Sequence, residues 1–164
     1  VAKHYQSAVA YGQLGNYFLK KEDFTKALEN YQKAIAISPS YGKPYSNIGM
    51  IMVKTGDYAQ AVDYFTRTIQ LEPKESGITF TNRGYACMRL GREADALADY
   101  DHAIDVDQRY LPAYLNRATL YKNQKDFTRA MADLDQVLSI DPGNKTAQNN
   151  KQILRKMIDD DNSR

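Results

Sequence analysis

The chain has 164 residues, 43% apolar and 26% charged, with 22 basic and 20 acidic side chains for a net charge of +2. That is the profile of a soluble globular domain rather than of a disordered or fibrous chain. Near-neutrality argues against wholesale attraction to nucleic acid or anionic lipid. The longest apolar stretch, Ile48 to Val53, is too short to cross a bilayer, no charged start with an apolar core marks a leader, and the lone cysteine, Cys87, cannot close an internal disulfide. The cytoplasm is therefore the expected compartment, with no membrane insertion and no nucleic-acid partner.

In chain order, the half-unit "VAKHYQS" comes first and, with Val1 in place of Met, suggests an upstream continuation. Residues 8–41 then carry Tyr11, Leu14, Gly15 and Phe18 at helical spacing, a turn in "KKEDF", and Ala27, Tyr31 and Ala34 on a second helix that Pro39 ends. Residues 42–75 repeat this with Tyr45, Gly49, "KTGDY", Ala61 and Pro73, and Ser76 is a single inserted residue. Residues 77–110 repeat it with Phe80, Gly84, "RLGRE" and Ala96, with Gln108 where the proline would be, and residues 111–144 with Tyr114, Ala118, "NQKDF", Ala130 and Pro142. The aromatics and the alanines both step by 34, 35 and 34 residues. A single unit cannot bury its apolar face, so stacked units share one core and the last needs a cover. Residues 145–158, with Ile153, Leu154, Met157 and Ile158 as their stripe, are the expected capping helix. Asp159 to Asp161 would stand at the negative end of its dipole, so the tail 159–164 is expected to be disordered.

These units resemble tetratricopeptide repeats, whose pattern is an aromatic, Leu-Gly, a further aromatic, then Ala, aromatic and Pro. The resemblance spans about 8–144 and implies one all-α domain, a right-handed superhelical solenoid of antiparallel helix pairs with about nine helices. Departures are local. Arg83 and Arg117 replace the leucine, Met52 and Cys87 an aromatic, and Glu93 stands where other units have Phe24, Tyr58 and Phe127.

In solenoids of that family, a second stripe on each first helix lines a concave groove. Here it comprises Val9, Gly12, Gln13, Asn16, Leu19 and Lys20; Lys43, Ser46, Asn47, Met50, Val53 and Lys54; Ile78, Thr81, Asn82, Tyr85, Met88 and Arg89; and Pro112, Leu115, Asn116, Thr119, Lys122 and Asn123. Five of these 24 are basic and none is acidic, where about three acids would fall by chance. Acids gather instead on the second helices, at Glu29, Asp63, Asp95, Asp99, Asp133 and Asp135. A basic hollow and an acidic back are the expectation, with an acidic or extended protein segment as ligand. Asn47, Asn82 and Asn116, with Gln13 before them, resemble the asparagine ladders by which some family members hold a peptide main chain, since an amide both donates and accepts. A solvated polar face is the competing reading. The dicarboxylate clamp by which other members take chaperone C-termini is poorly matched: Gly12, Asn16, Asn47, Ile78 and Asn82 give two of five positions, and Ser46, Met50, Asn82, Pro112 and Asn116 give one.

The remaining signals are weak. His102, with Asp99 and Asp105 three residues to either side, reads as an exposed helical salt-bridge setting rather than a metal site, and Cys87 as a small buried apolar residue. "DVDQRY" lacks the glycine and glutamate of a calcium loop, and "NKT" at 144–146 matters only in a secreted chain. No nucleophile and base stand at usable spacing, so neither catalysis, cofactor nor metal is expected. Three function classes follow: a non-catalytic adaptor with a peptide-binding groove, a self-associating architectural solenoid, and the partner-recruiting fragment of a larger protein or enzyme. The groove residues expected to carry binding are Gln13, Asn16, Lys20, Lys43, Asn47, Met50, Lys54, Asn82, Tyr85, Arg89, Asn116 and Lys122.

Overall fold

Nine α-helices and no strand form among the described residues, which are 2–73 and 77–162 of this computed structural model, with side chains described from Ser7 to Asp161. Two helices make each unit: α1 (Ala2–Lys20) with α2 (Phe24–Ile37), α3 (Gly42–Thr55) with α4 (Tyr58–Leu71), α5 (Gly77–Arg89) with α6 (Glu93–Val106), and α7 (Leu111–Asn123) with α8 (Phe127–Ile140). The last helix, α9 (Lys145–Asn162), packs on α8. Each helix packs against its neighbours in sequence, and the first helices also meet one another, α1 with α3, α3 with α5 and α5 with α7. The inserted Ser76 lies outside the described residues.

The turn inside each unit is built to one plan. One residue takes the left-handed conformation at the same step of every unit, Glu22 (φ 58°), Gly56 (φ 85°), Gly91 (φ 73°) and Lys125 (φ 60°). Glycine adopts it freely, whereas Glu22 and Lys125 bear a Cβ penalty there. In three units an aspartate follows and caps the second helix: Asp23, Asp57 and Asp126 accept from the backbone N–H of Lys26, Gln60 and Arg129. In the third unit Arg92 holds that place and makes no side-chain cap.

The glycines of the first helices are sites of close approach. A Cβ at Gly15 would stand 2.5 Å from the Tyr31 ring, one at Gly49 2.7 Å from Phe65, and one at Gly84 2.8 Å from Tyr100. In the fourth unit, where the partner is the smaller Leu134, alanine fits, and Ala118 joins the core with it. The matched alanines Ala27, Ala61, Ala96 and Ala130 are fully buried.

Two expectations for the cap are corrected. Its buried stripe runs through Ala147 and Leu154, with Asn150, Lys151 and Ile158 half-buried, while Ile153 and Met157 are 49% and 37% exposed. Ile153 and Met157 each lie one residue, about 100° of helix, off that stripe. The helix also continues through Asp159–Asp161 to Asn162 rather than ending at Ile158. Arg155 and Lys156 stand one turn before Asp159 and Asp160, the i,i+4 spacing at which opposite charges lie on one face of a helix. Residues 163–164 of the expected tail lie outside the described residues.

Candidate functional site

The first helices line one side of the stack, and a hollow of about 340 Å³ opens there. Its lining is Asn16 from α1, Lys43, Ser46 and Asn47 from α3, Ile78 and Thr79 from α5, and Thr68 and Glu72 from the end of α4. Asn16, Lys43 and Asn47 are thus brought together as the spacing requires. Gln13, Lys20, Met50, Lys54, Asn82, Tyr85, Arg89, Asn116 and Lys122 lie outside this hollow, at exposed or half-buried places along the same helices. Glu72 puts a carboxylate into a hollow expected to be free of acid. It lies over the first turn of α3, where a Cβ on Gly42 would meet its Oε1 at 2.4 Å, so the positive end of that helix offsets its charge.

Asn16 is the hub. Its Oδ1 accepts from the Tyr31 hydroxyl at 2.7 Å and from Asn47 Nδ2 at 2.8 Å, which ties α1, α2 and α3 together. Burial pushes the Tyr31 hydroxyl up to about 12, with the nearby Asn47 amide working the other way. Asn82 and Asn116, by contrast, make no side-chain hydrogen bond among the described residues. The amides therefore differ along the stack: the first two are engaged with the protein, and the last two keep their donors and acceptors.

Two of the basic groups, Lys54 and Arg89, are held by aromatics. Lys54 Nζ stands 5.6 Å from the Phe24 ring centre, and the Arg89 guanidinium 4.5 Å from that of Tyr58. In each case the last turn of a first helix reaches back over the residue that opens the second helix of the preceding unit. Arg89 also donates to the Tyr85 hydroxyl at 2.9 Å, and Tyr85 meets Tyr58 edge to face. Lys54 and Arg89 are thus seam residues, not side chains pointing freely into the hollow. At the next seam Glu93 replaces the aromatic, and Gln124 Nε2 donates to it at 2.8 Å.

The acidic back is also corrected. Asp99 and Asp133 are buried, 4% and 5% exposed, and each receives a two-pronged guanidinium. Arg83 Nε and Nη2 donate to Asp99 at 2.9 and 2.7 Å, and Arg117 does the same to Asp133 at 2.9 and 2.7 Å. The third prong crosses to the preceding unit, from Arg83 to Thr66 and from Arg117 to Asp101. These hydrogen bonds raise both guanidinium pKa values further. Asp95 pairs with Arg92 and Asp135 with Lys151, which leaves Glu29 and Asp63 as the exposed acids of the six that make no ion pair among the described residues. The arginines that break the leucine pattern, unexplained by spacing, are the partners of two aspartates sixteen residues on.

His102 forms no ion pair among the described residues; its ring centre lies 4.0 Å from that of Phe80, and Asp99 is taken by Arg83. Cys87 is buried, and burial pushes its thiol up. Among the described residues no three metal-ligating side chains converge, and no helix is long and apolar enough to cross a membrane.

Residues 8–41, 79–110 and 111–144 match the tetratricopeptide repeat models. The chain belongs to the tetratricopeptide repeat family. Residues 27–76 also match the Est1 DNA/RNA binding domain, across α2 to α4. Mouse sperm-associated antigen 1 is 38% identical over 94 residues, covering 57% of this chain and 10% of that protein. The chain spans 10% of the length of that antigen and 44% of that of stress-induced-phosphoprotein 1 of Caenorhabditis elegans. The crystal structure of MamA superposes with a TM-score of 0.82 at 19% identity, over 92% of this chain and 82% of that one. The first such domain of Spaghetti (RPAP3), bound to the HSP90 peptide SRMEEVD, superposes at 0.67 with 26% identity, over 71% and 92%. Tetratricopeptide repeat proteins take part in protein–protein interaction, and this chain is such a module.

Proposed function

We propose that this chain is a non-catalytic adaptor that holds an extended, acidic segment of a partner protein along the face of its first helices. The observation that carries the reading is the hollow between α1, α3 and α5, which places Lys43 beside amide and hydroxyl groups able to pair with a main chain. Beyond it, Asn82 and Asn116 keep free amides, and Lys54, Arg89 and Lys122 add positive charge along the same helices. Charges of this kind steer encounter and fix register more than they add affinity. The HSP90 peptide bound by the RPAP3 domain is itself acidic, which supports an acidic ligand here. Its terminal carboxylates are not the favoured target, because two clamp positions that need lysine carry Gly12 and Ile78, and a Cβ at Gly12 would already stand 3.1 Å from the Tyr41 ring.

An array of acidic, neutral and basic ten-residue peptides, with SRMEEVD and a single-stranded oligonucleotide as controls, tests this. Binding strongest for acidic peptides, weaker at high salt and weaker for SRMEEVD, is the expected result. Equal binding of basic peptides, or preference for the oligonucleotide, would refute it. A second reading, recruitment of a partner on behalf of a larger protein, is favoured by the small share of each relative that the chain spans.

A further inference from the structure

The repeat supplies its own control. Tyr31 and Tyr100 hold one place in the first and third units, and Asn47 and Asn116 one place in the units that follow, each pair 69 residues apart. The two rings share a pose: a Cβ on Gly15 would meet Tyr31 Cε1 and Cδ1 at 2.5 and 2.6 Å, and one on Gly84 the same atoms of Tyr100 at 2.8 and 3.1 Å. In the first unit the hydroxyl donates to Asn16, which also holds Asn47. In the third unit the place of Asn16 is taken by Tyr85, whose hydroxyl is engaged by Arg89. The Tyr100 hydroxyl is consequently buried without a hydrogen-bond partner, and the Asn116 amide next in the pattern has none among the described residues. At the seam between these two, Phe65 brings no hydroxyl, so Asn82 faces no such group.

Buried hydroxyls without a partner are rare, and each one calls for an explanation. We infer that the seam between α5 and α7 seats one oxygen acceptor of the bound segment, a main-chain carbonyl or a side-chain carboxylate, which accepts a hydrogen bond from the Tyr100 hydroxyl while the Asn116 amide holds the adjoining peptide group. Tyr85, at the place of Asn16, would turn to admit it, and the hydrogen bond that restrains that ring comes from Arg89, an exposed cation able to pair with a carboxylate of the bound segment. The third-to-fourth seam, rather than the hollow around Asn16, is then where the ligand's register is fixed. This inference rests on the groove reading above.

The test is Tyr100→Phe, a side chain that Phe65 shows to fit this place. The probes are blocked decapeptides of alternating Glu-Ala and alternating Gln-Ala, titrated by fluorescence anisotropy beside thermal melts. The variant is expected to melt higher than the parent and to bind more weakly by about three- to tenfold. A loss with both peptides assigns a main-chain carbonyl, and a loss with the Glu peptide alone assigns a carboxylate. Tyr31→Phe, which removes a hydroxyl already bonded, is expected to melt lower. Unchanged affinity for both peptides overturns the inference and leaves the groove reading standing, as does a lower melting point for Tyr100→Phe, which would mean a partner within the chain. If the parent binds neither peptide, the groove reading falls and this inference with it.

Discussion

Arg117 offers the sharpest measurement of what holds the last two units together. Its guanidinium donates twice to Asp133, once to Asp101, and is 19% exposed, while Asp133 is nearly closed to water. Replacing Arg117 by Ile leaves a buried carboxylate with no counter-charge, which costs about 3 kcal/mol at the lower end of such losses, since part of the pair is wetted. The second unit already shows an apolar solution at the same two places, Ile48 with Tyr64. Transplanting it as Arg117→Ile with Asp133→Tyr removes both charges together and should recover most of the loss. Urea unfolding followed by circular dichroism on the parent, both single variants and the double variant gives the coupling directly. A single Arg117→Ile variant that costs less than about 1 kcal/mol, or a double variant whose loss is the sum of the singles, would refute the argument that burial makes this pair interdependent.

Further outcomes follow from other parts of the stack. Asn16→Ala should destabilise by about 1–3 kcal/mol because the Tyr31 hydroxyl loses its acceptor, whereas Asn116→Ala should leave the melting point level or higher while weakening acidic-peptide binding, as thermal melts beside calorimetric titration will show. Glu22→Gly and Lys125→Gly should each stabilise, by about 0.5–1 kcal/mol, since the left-handed turn conformation no longer carries a Cβ; an unchanged or lower urea midpoint would count against it. The Tyr31 hydroxyl, raised from about 10 to about 12 in the folded state, contributes stability that is present below pH 10 and lost as pH rises through about 12. Absorbance at 295 nm should accordingly show a tyrosine class that ionises only as the helices melt.

The architecture was legible because it is repeated. Steps of 34 and 35 residues fix every helix pair, and the aromatic opposite each glycine is the same contact written three times. The site was less legible for the opposite reason: its particulars lie where the repeats differ. A stripe count treats Asn16, Asn47, Asn82 and Asn116 alike, yet whether each is free depends on which ring stands behind it and what sits at the place of Asn16. Counting charges by helix likewise placed Asp99 and Asp133 on an acidic back, because the spacing of a repeat does not reveal that an arginine sixteen residues earlier turns inward to meet them. Glu72 escaped notice as a residue of a second helix, although its end meets the start of α3; the glycine at 42 was the sign that something lies close there.

The cross-unit bonds join different pairs of helices. Between the first two units the tie runs from Asn16 to Asn47, from one first helix to the next, while between the later units the ties run from Arg83 on α5 and Arg117 on α7 back to Thr66 on α4 and Asp101 on α6, with Gln124 to Glu93 beside the last. Regarded as a spring, the solenoid is therefore unevenly stiff. The first coil is stitched directly from one first helix to the next, so parting those helices breaks a bond, while the later coils are stitched from a first helix to the second helix of the unit before, so their first helices can part without breaking those bonds.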